Sequence, residues 1–148
     1  MKKYKFRLQT VLNIKEKVLE EKMLELSKVV EIYNKEKETL QNLEDSRTSS
    51  IKELNKMYEN PEVLDIAQVN LYKNYLYKLG VDIKKQQETL ERVQQLMEQK
   101  QQEVNEALKE KKIFEKLKEN EEKAFYKLVE KKESIETDDI AISRYNRN

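Results

Sequence analysis

Apolar residues recur along this chain in sevens. In the first half, Leu12, Leu19, Leu26, Tyr33, Leu40 and Leu54 fall on one heptad line broken by Arg47, with Leu8, Val11, Met23, Val29, Val30, Leu43 and Ile51 in neighbouring positions. In the second half one line reads Val69, Leu76, Ile83, Leu90, Met97, Val104, Lys111, Lys118, Phe125. Its companion reads Tyr72, Leu79, Gln86, Val93, Lys100, Ala107, Phe114, Glu121, Leu128, and thirteen of these eighteen are apolar. A period of seven held this long is the pattern of helices that bury one stripe against a partner helix. The polar members at 86, 100, 111, 118 and 121, with Ile113 and Leu117 off both lines, predict looser packing or a phase shift toward the C-terminal third.

The two patterns part at the sole proline. Asn60 can accept from an open backbone N–H and Pro61 suits a first helical position, so the sequence predicts a helix over about 4–58, a turn near 59–61 and a helix over about 61–133, followed by a flexible tail over 134–148. Asp45, Ser46, Thr48, Ser49 and Ser50 are the weakest helical run, because short polar side chains compete for the backbone. A break there would leave 51–58 as a short extra helix. Gly80 reads as a tolerated helical glycine costing about 1 kcal/mol against alanine, with a hinge or a close helix approach as the alternative.

The expected fold class is all-α: a long antiparallel two-helix coiled-coil hairpin forming a single elongated domain over 1–148, since a short turn lets two apolar stripes meet. A bend centred near residue 60 makes paired positions sum to about 120, setting Leu12 opposite the region of Leu108 and Leu54 opposite Ile66. The second helix, roughly 105 Å long at 1.5 Å per residue, then outruns the first. Phe125, Leu128 and Ile135 would lack an intramolecular partner, which marks that end for docking into another protein.

Composition narrows the function. Charged residues make up 40% of the 148, hydrophobic residues 37% and aromatics 7%, with one glycine and one proline, too few apolar groups for a broad layered core. Without histidine or cysteine, and with a lone glycine, the chain carries no nucleophile triad, no nitrogen or sulfur zinc ligands and no glycine-rich phosphate cradle, so neither an enzyme nor a cofactor is expected. Glu136, Asp138 and Asp139 lack the spacing of a calcium loop and read as solvated charge. A net charge of +1 gives no argument for nucleic acid. No apolar run follows Met1, Lys2 and Lys3 as a signal peptide requires, and none approaches the roughly 20 residues of a membrane span.

Local features remain. Lys2, Lys3, Lys5 and Arg7 alternate with Tyr4, Phe6 and Leu8, and a hairpin would bring them toward Arg144 and Arg147. The cluster reads as a solvated terminus, a dock for an acidic protein surface, or a contact for anionic lipid or nucleic acid. Tyr72 belongs to the heptad seam, whereas Tyr75 and Tyr77 point elsewhere and read equally as rigid area for a protein contact or as packing on a shifted seam.

In these segments the chain resembles the FliJ family, a component of the bacterial flagellar type III export apparatus. The resemblance rests on Phe6-Arg7-Leu8-Gln9-Thr10-Val11-Leu12, on Tyr75-Leu76 with Leu79 and Ile83, on Glu110-Lys111-Lys112 followed by Glu115-Lys116-Leu117, and on Asp138-Asp139-Ile140-Ala141, in order over nearly the whole length. It implies a non-catalytic antiparallel coiled coil, similar to the central stalk of rotary F-type ATPases, that acts at the cytoplasmic face of the cell membrane. The implied partners are the hexameric export ATPase, the cytoplasmic part of the export gate and empty export chaperones. The end bearing both termini (Lys2, Lys3, Lys5, Arg7, Phe125, Leu128) would meet the ATPase. The family's exposed face on the second helix matches Tyr75, Leu79, Asp82 and Gln86 for gate contact. Asp82 and Gln86 depart from the small and titratable residues of the family pattern, and Ser46 and Ser50 stand where it has tyrosines. Two rival readings are a homodimeric structural spacer, in which a second copy covers the unpaired positions, and a basic-tipped membrane or nucleic-acid adaptor.

Overall fold

The computed structural model describes residues 3–147. Helix α1 spans Gln9–Glu59, a 3-10 turn covers Pro61–Val63, and helix α2 spans Ile66–Arg147. Both long elements follow from a sequence with almost no helix breakers. The break expected at 45–50 does not occur. Thr48 donates its hydroxyl to the Glu44 carbonyl at 3.0 Å, one turn back, and Ser50 is buried at 9% exposure. Polar side chains that compete for the backbone elsewhere are here absorbed into an intact helix, and no separate helix forms over 51–58.

The turn is displaced from the expected place. Asn60 makes no side-chain cap and Pro61 opens the 3-10 turn rather than α2. Leu64 is extended, and the carboxylate of Asp65 accepts from the Ala67 N–H at 3.0 Å, which caps α2 at its second helical residue. A bend spread over 60–65 moves the register. Paired residue numbers add to 125 for Tyr4 with Glu121, for Lys15 with Glu110 and for Lys100 with Glu25, not to about 120. Leu12 therefore lies opposite the region of Ile113, one turn beyond Leu108. At its far end α2 continues as helix through 134–147, the segment expected as a tail.

Two compact units divide the chain, one of residues 23–103 and one of 1–22 with 104–148. In the first, Val29 of α1 and Val69, Leu79 and Ile83 of α2 form the buried core. In the second, Phe6, Leu12, Leu19, Val104 and Ala107 do so. Among the described residues no large side chain is below 2% exposed, as expected where only two helices enclose each seam residue. The heptad lines of α2 hold: of the eighteen positions named above, only Leu128 is exposed. The lines therefore keep their phase as far as Phe125; of the two residues off them, Ile113 lies outside the seam at 64% exposure and Leu117 is half-buried.

Polar seam residues set the pairing. In the unit of 23–103, Gln86 donates to the Glu36 carbonyl at 3.0 Å and also to its carboxylate, while the Lys100 ammonium lies 3.2 Å from Glu25 and 3.3 Å from Glu103. These carboxylates hold the Lys100 ammonium above the usual lysine range, mainly through hydrogen bonds to Glu25 and then Glu103. Each pair adds little stability at a wet surface. Register is another matter, because a slip of one heptad would set Lys100 against Val18 or Ile32 and Gln86 against Val29 or Leu43.

Candidate docking surfaces

The terminal end is built on a short segment that precedes α1. Phe6 is buried at 7% exposure, and its carbonyl accepts from the Gln9 N–H at 3.1 Å, turning the chain into the helix. This holds Tyr4 over α2. Its ring centroid lies 5.6 Å from that of Phe125, which in turn meets Tyr126 edge-on at 5.4 Å. The Tyr4 hydroxyl donates to Glu121 at 3.2 Å, and Arg7 approaches the same carboxylate at 3.4 Å. Lys118 donates to the Gln9 side chain at 2.8 Å, and Lys15 to Glu110 at 2.9 Å. Phe125 thus has an intramolecular partner, contrary to the expectation that it would be free.

Partial burial raises the Tyr4 phenol above its ordinary value, assisted by the hydrogen bond to Glu121 and by the charges of Glu121 and Glu122. A phenol whose folded value lies above its unfolded value of about 10 contributes fully below that pH and loses its contribution as pH rises through the folded value. Tyr4→Phe is accordingly expected to remove one phenol from the alkaline end of a spectrophotometric tyrosine titration. Loss of a phenol from the middle of the curve instead would contradict this geometry.

Beyond this clasp α2 is on its own. Every residue from 130 to 147 is exposed, with Leu128 at 68%, Ile135 at 53%, Ile142 at 59% and Tyr145 at 83% exposure. This overhang of residues 126–147 extends roughly 33 Å. The expectation of unpartnered Leu128 and Ile135 is met. Lys3, Lys5 and Arg7 are exposed at the base of the overhang, and Lys2 lies outside the described residues. Arg144 and Arg147 do not join them, because about 28 Å of helix separates Arg144 from Phe125.

The second surface lies in the unit of 23–103. Tyr75 is 46% exposed and lines an open groove with Asn42, Asp45, Ser46, Ser49 and Ser50, so short side chains of α1 leave the ring uncovered. Tyr77 is exposed at 78% on another side of α2, and Tyr72 is half-buried in the seam. Leu79 does not belong to an exposed face: at 4% exposure it is a core residue. Asp82 is half-buried, and Gln86 is drawn into the seam by Glu36. Of the four residues assigned to gate contact, Tyr75 alone is fully on the surface.

Sequence reasoning missed one seam line. Leu8, just before α1, and Lys15, Lys22, Val29, Glu36, Leu43, Ser50 and Met57 on it recur at sevens and none is exposed, whereas Met23 and Ile51, named beside the other line, are exposed. Half of that line is polar, which hid it. Its signal was the spacing from the Leu12 line, three or four residues throughout.

Among the described residues no group of His, Cys, Asp or Glu is placed to hold a metal ion, and no helix is long and apolar enough to cross a membrane. Two long helices joined by a short turn, with no strand among the described residues, define the class as all-α helical hairpins. Within that class, the family model described as Flagellar FliJ protein matches residues 4–148, and the chain belongs to this family. Membership makes it a structural component of the flagellar export apparatus, in service of flagellar biogenesis and protein export. No curated protein and no solved structure matches the chain at a significant level.

Proposed function

We propose that the chain is a non-enzymatic coupling element that binds the hexameric export ATPase through its terminal end and meets the export gate and empty export chaperones through the surface around Tyr75. It would act in the cytoplasm, at the periphery of the membrane that holds the gate. The observation that carries this reading is the overhang of residues 126–147, an exposed helix with an apolar stripe next to the basic Lys3, Lys5 and Arg7. A preformed amphipathic helix of this kind fits a groove or ring lumen in a partner, with lysines and arginines on the acidic rim. Tyr75, backed by Asp82 and Gln86 at the margin of the seam, supplies the second contact, while Leu79 supports it from within.

Binding to purified export ATPase tests the reading with three chains: the intact protein, one ending before Phe125 and one lacking residues 1–8. Either truncation is expected to weaken binding at least tenfold. Unchanged binding by both would refute docking through this end.

A further inference from the structure

Three apolar residues of the overhang keep the spacing of one of the two seam lines behind them: Ala107, Phe114 and Glu121 are followed at sevens by Leu128, Ile135 and Ile142, while the other line continues from Phe125 through Lys132 and Asp139 and Ile140 lies off both. Phe114 and Ala107 on this line pack within the hairpin, whereas Leu128, Ile135 and Ile142 are 68%, 53% and 59% exposed. The stripe is a coiled-coil seam that has run past its partner. Leu128, Lys131, Lys132, Ile135 and Glu136 line a shallow groove along it.

The four charges within about 60° of the stripe are arranged about Ile135, with Glu136 further round at about 100°. At 100° per residue, Lys131 and Asp138 lie on one flank and Lys132 and Asp139 on the other. Each flank therefore carries a lysine one turn before Ile135 and an aspartate one turn after it. When two such helices pair antiparallel about a two-fold axis at Ile135, each flank meets the same flank of its neighbour and the order of charges is reversed. Lys131 then faces Asp138 of the second chain and Lys132 faces Asp139, each pair occurring twice, while Leu128 covers Ile142 and the two Ile135 side chains meet. Tyr145 falls over Ala124 at each end. Parallel pairing would set lysine against lysine and aspartate against aspartate.

We propose that the overhang is a self-complementary dimerisation segment whose occupant is the overhang of a second copy of this chain, antiparallel and centred on Ile135. The contact goes beyond the proposed docking on the ATPase and does not depend on it. Where both hold, the two exclude each other, because the same stripe is used, and the paired form keeps the stripe covered until the other partner is present. Covering the stripe also supports a charged helix of 22 residues that would be marginal in isolation.

The test uses the intact chain alone, so that its outcome is separate from that of ATPase binding. Sedimentation equilibrium between about 5 μM and about 1 mM is expected to show the mass-average rising from one chain toward two. Lys131→Glu with Lys132→Glu makes all four flanking residues acidic, and Asp138→Lys with Asp139→Lys makes them all basic. Each double variant alone should dissociate at least tenfold more readily than the parent, and an equimolar mixture of the two should regain dimers. Because the chain has no cysteine, Ile135→Cys should cross-link on mild oxidation, while Thr137→Cys, about 200° round the helix, should not. Circular dichroism confirms that every variant remains helical. A single-chain mass throughout the concentration range, dimers insensitive to either charge change, or a mixture no tighter than its components would overturn the proposal.

Discussion

Leu79→Ala is expected to destabilise the hairpin by about 2–4 kcal/mol, read as a fall in the urea midpoint followed by far-UV circular dichroism. Leu79 is 4% exposed on a seam that includes Val69 and Ile83, and truncation removes most of its side chain where two helices cannot readily close the gap. Tyr75, one turn earlier and 46% exposed, should behave in the opposite way. Tyr75→Ala is expected to move the midpoint by no more than about 0.5 kcal/mol, as surface substitutions do, while weakening binding to the cytoplasmic part of the gate. The pair separates fold from contact. An unchanged midpoint in Leu79→Ala would mean that the seam does not run through this residue.

The case of Leu79 shows what the sequence holds. Its place at seven residues from Tyr72 and Gln86 put it in the seam, whereas the family resemblance put it on an exposed face, and the periodicity was the better guide because burial is what a heptad records. The same argument made the helical hairpin and the α2 seam legible as far as Phe125. It failed where polar residues occupy the seam. Lys15, Lys22 and Glu36 are tolerated there because a two-helix seam lets long polar side chains reach its edge, as Lys100 does toward Glu25 and Glu103, and Ser50 because its side chain is small enough to be buried. The turn was misplaced for a local reason: Asn60 and Asp65 are both capable caps, and propensity alone does not choose between them. That choice moved the register by about one turn. At the terminal end the overhang was legible from unequal helix lengths, but the tilted ring contact of Tyr4 with Phe125 was not, because it depends on a non-helical segment folded back at Phe6.

That segment and the turns beside it are where a buried charge should be most disruptive. Leu12 is 3% exposed, the lowest value in the core of its unit, where α1 meets α2 beyond Val104 and Ala107. Leu12→Asp would place a carboxylate in this apolar layer. Cross-helix cations at Lys15 and Lys118 are already bonded to Glu110 and Gln9. An uncompensated buried charge costs about 3–5 kcal/mol, more than two short helical stretches can absorb while paired. The expected result is local opening: amide hydrogen exchange should lose protection at least tenfold over residues 9–22 and 104–121, and the ring contact of Tyr4 with Phe125 should be lost with it. Leu24→Asp, at a position 57% exposed, is the matched control and should leave protection unchanged. Equal protection in both variants would show that the Leu12 layer does not close this end. Loss confined to Leu12→Asp would tie the clasp to the seam beneath it, and ATPase binding measured on the same two chains would then report whether the closed end or the overhang alone is what the partner recognises.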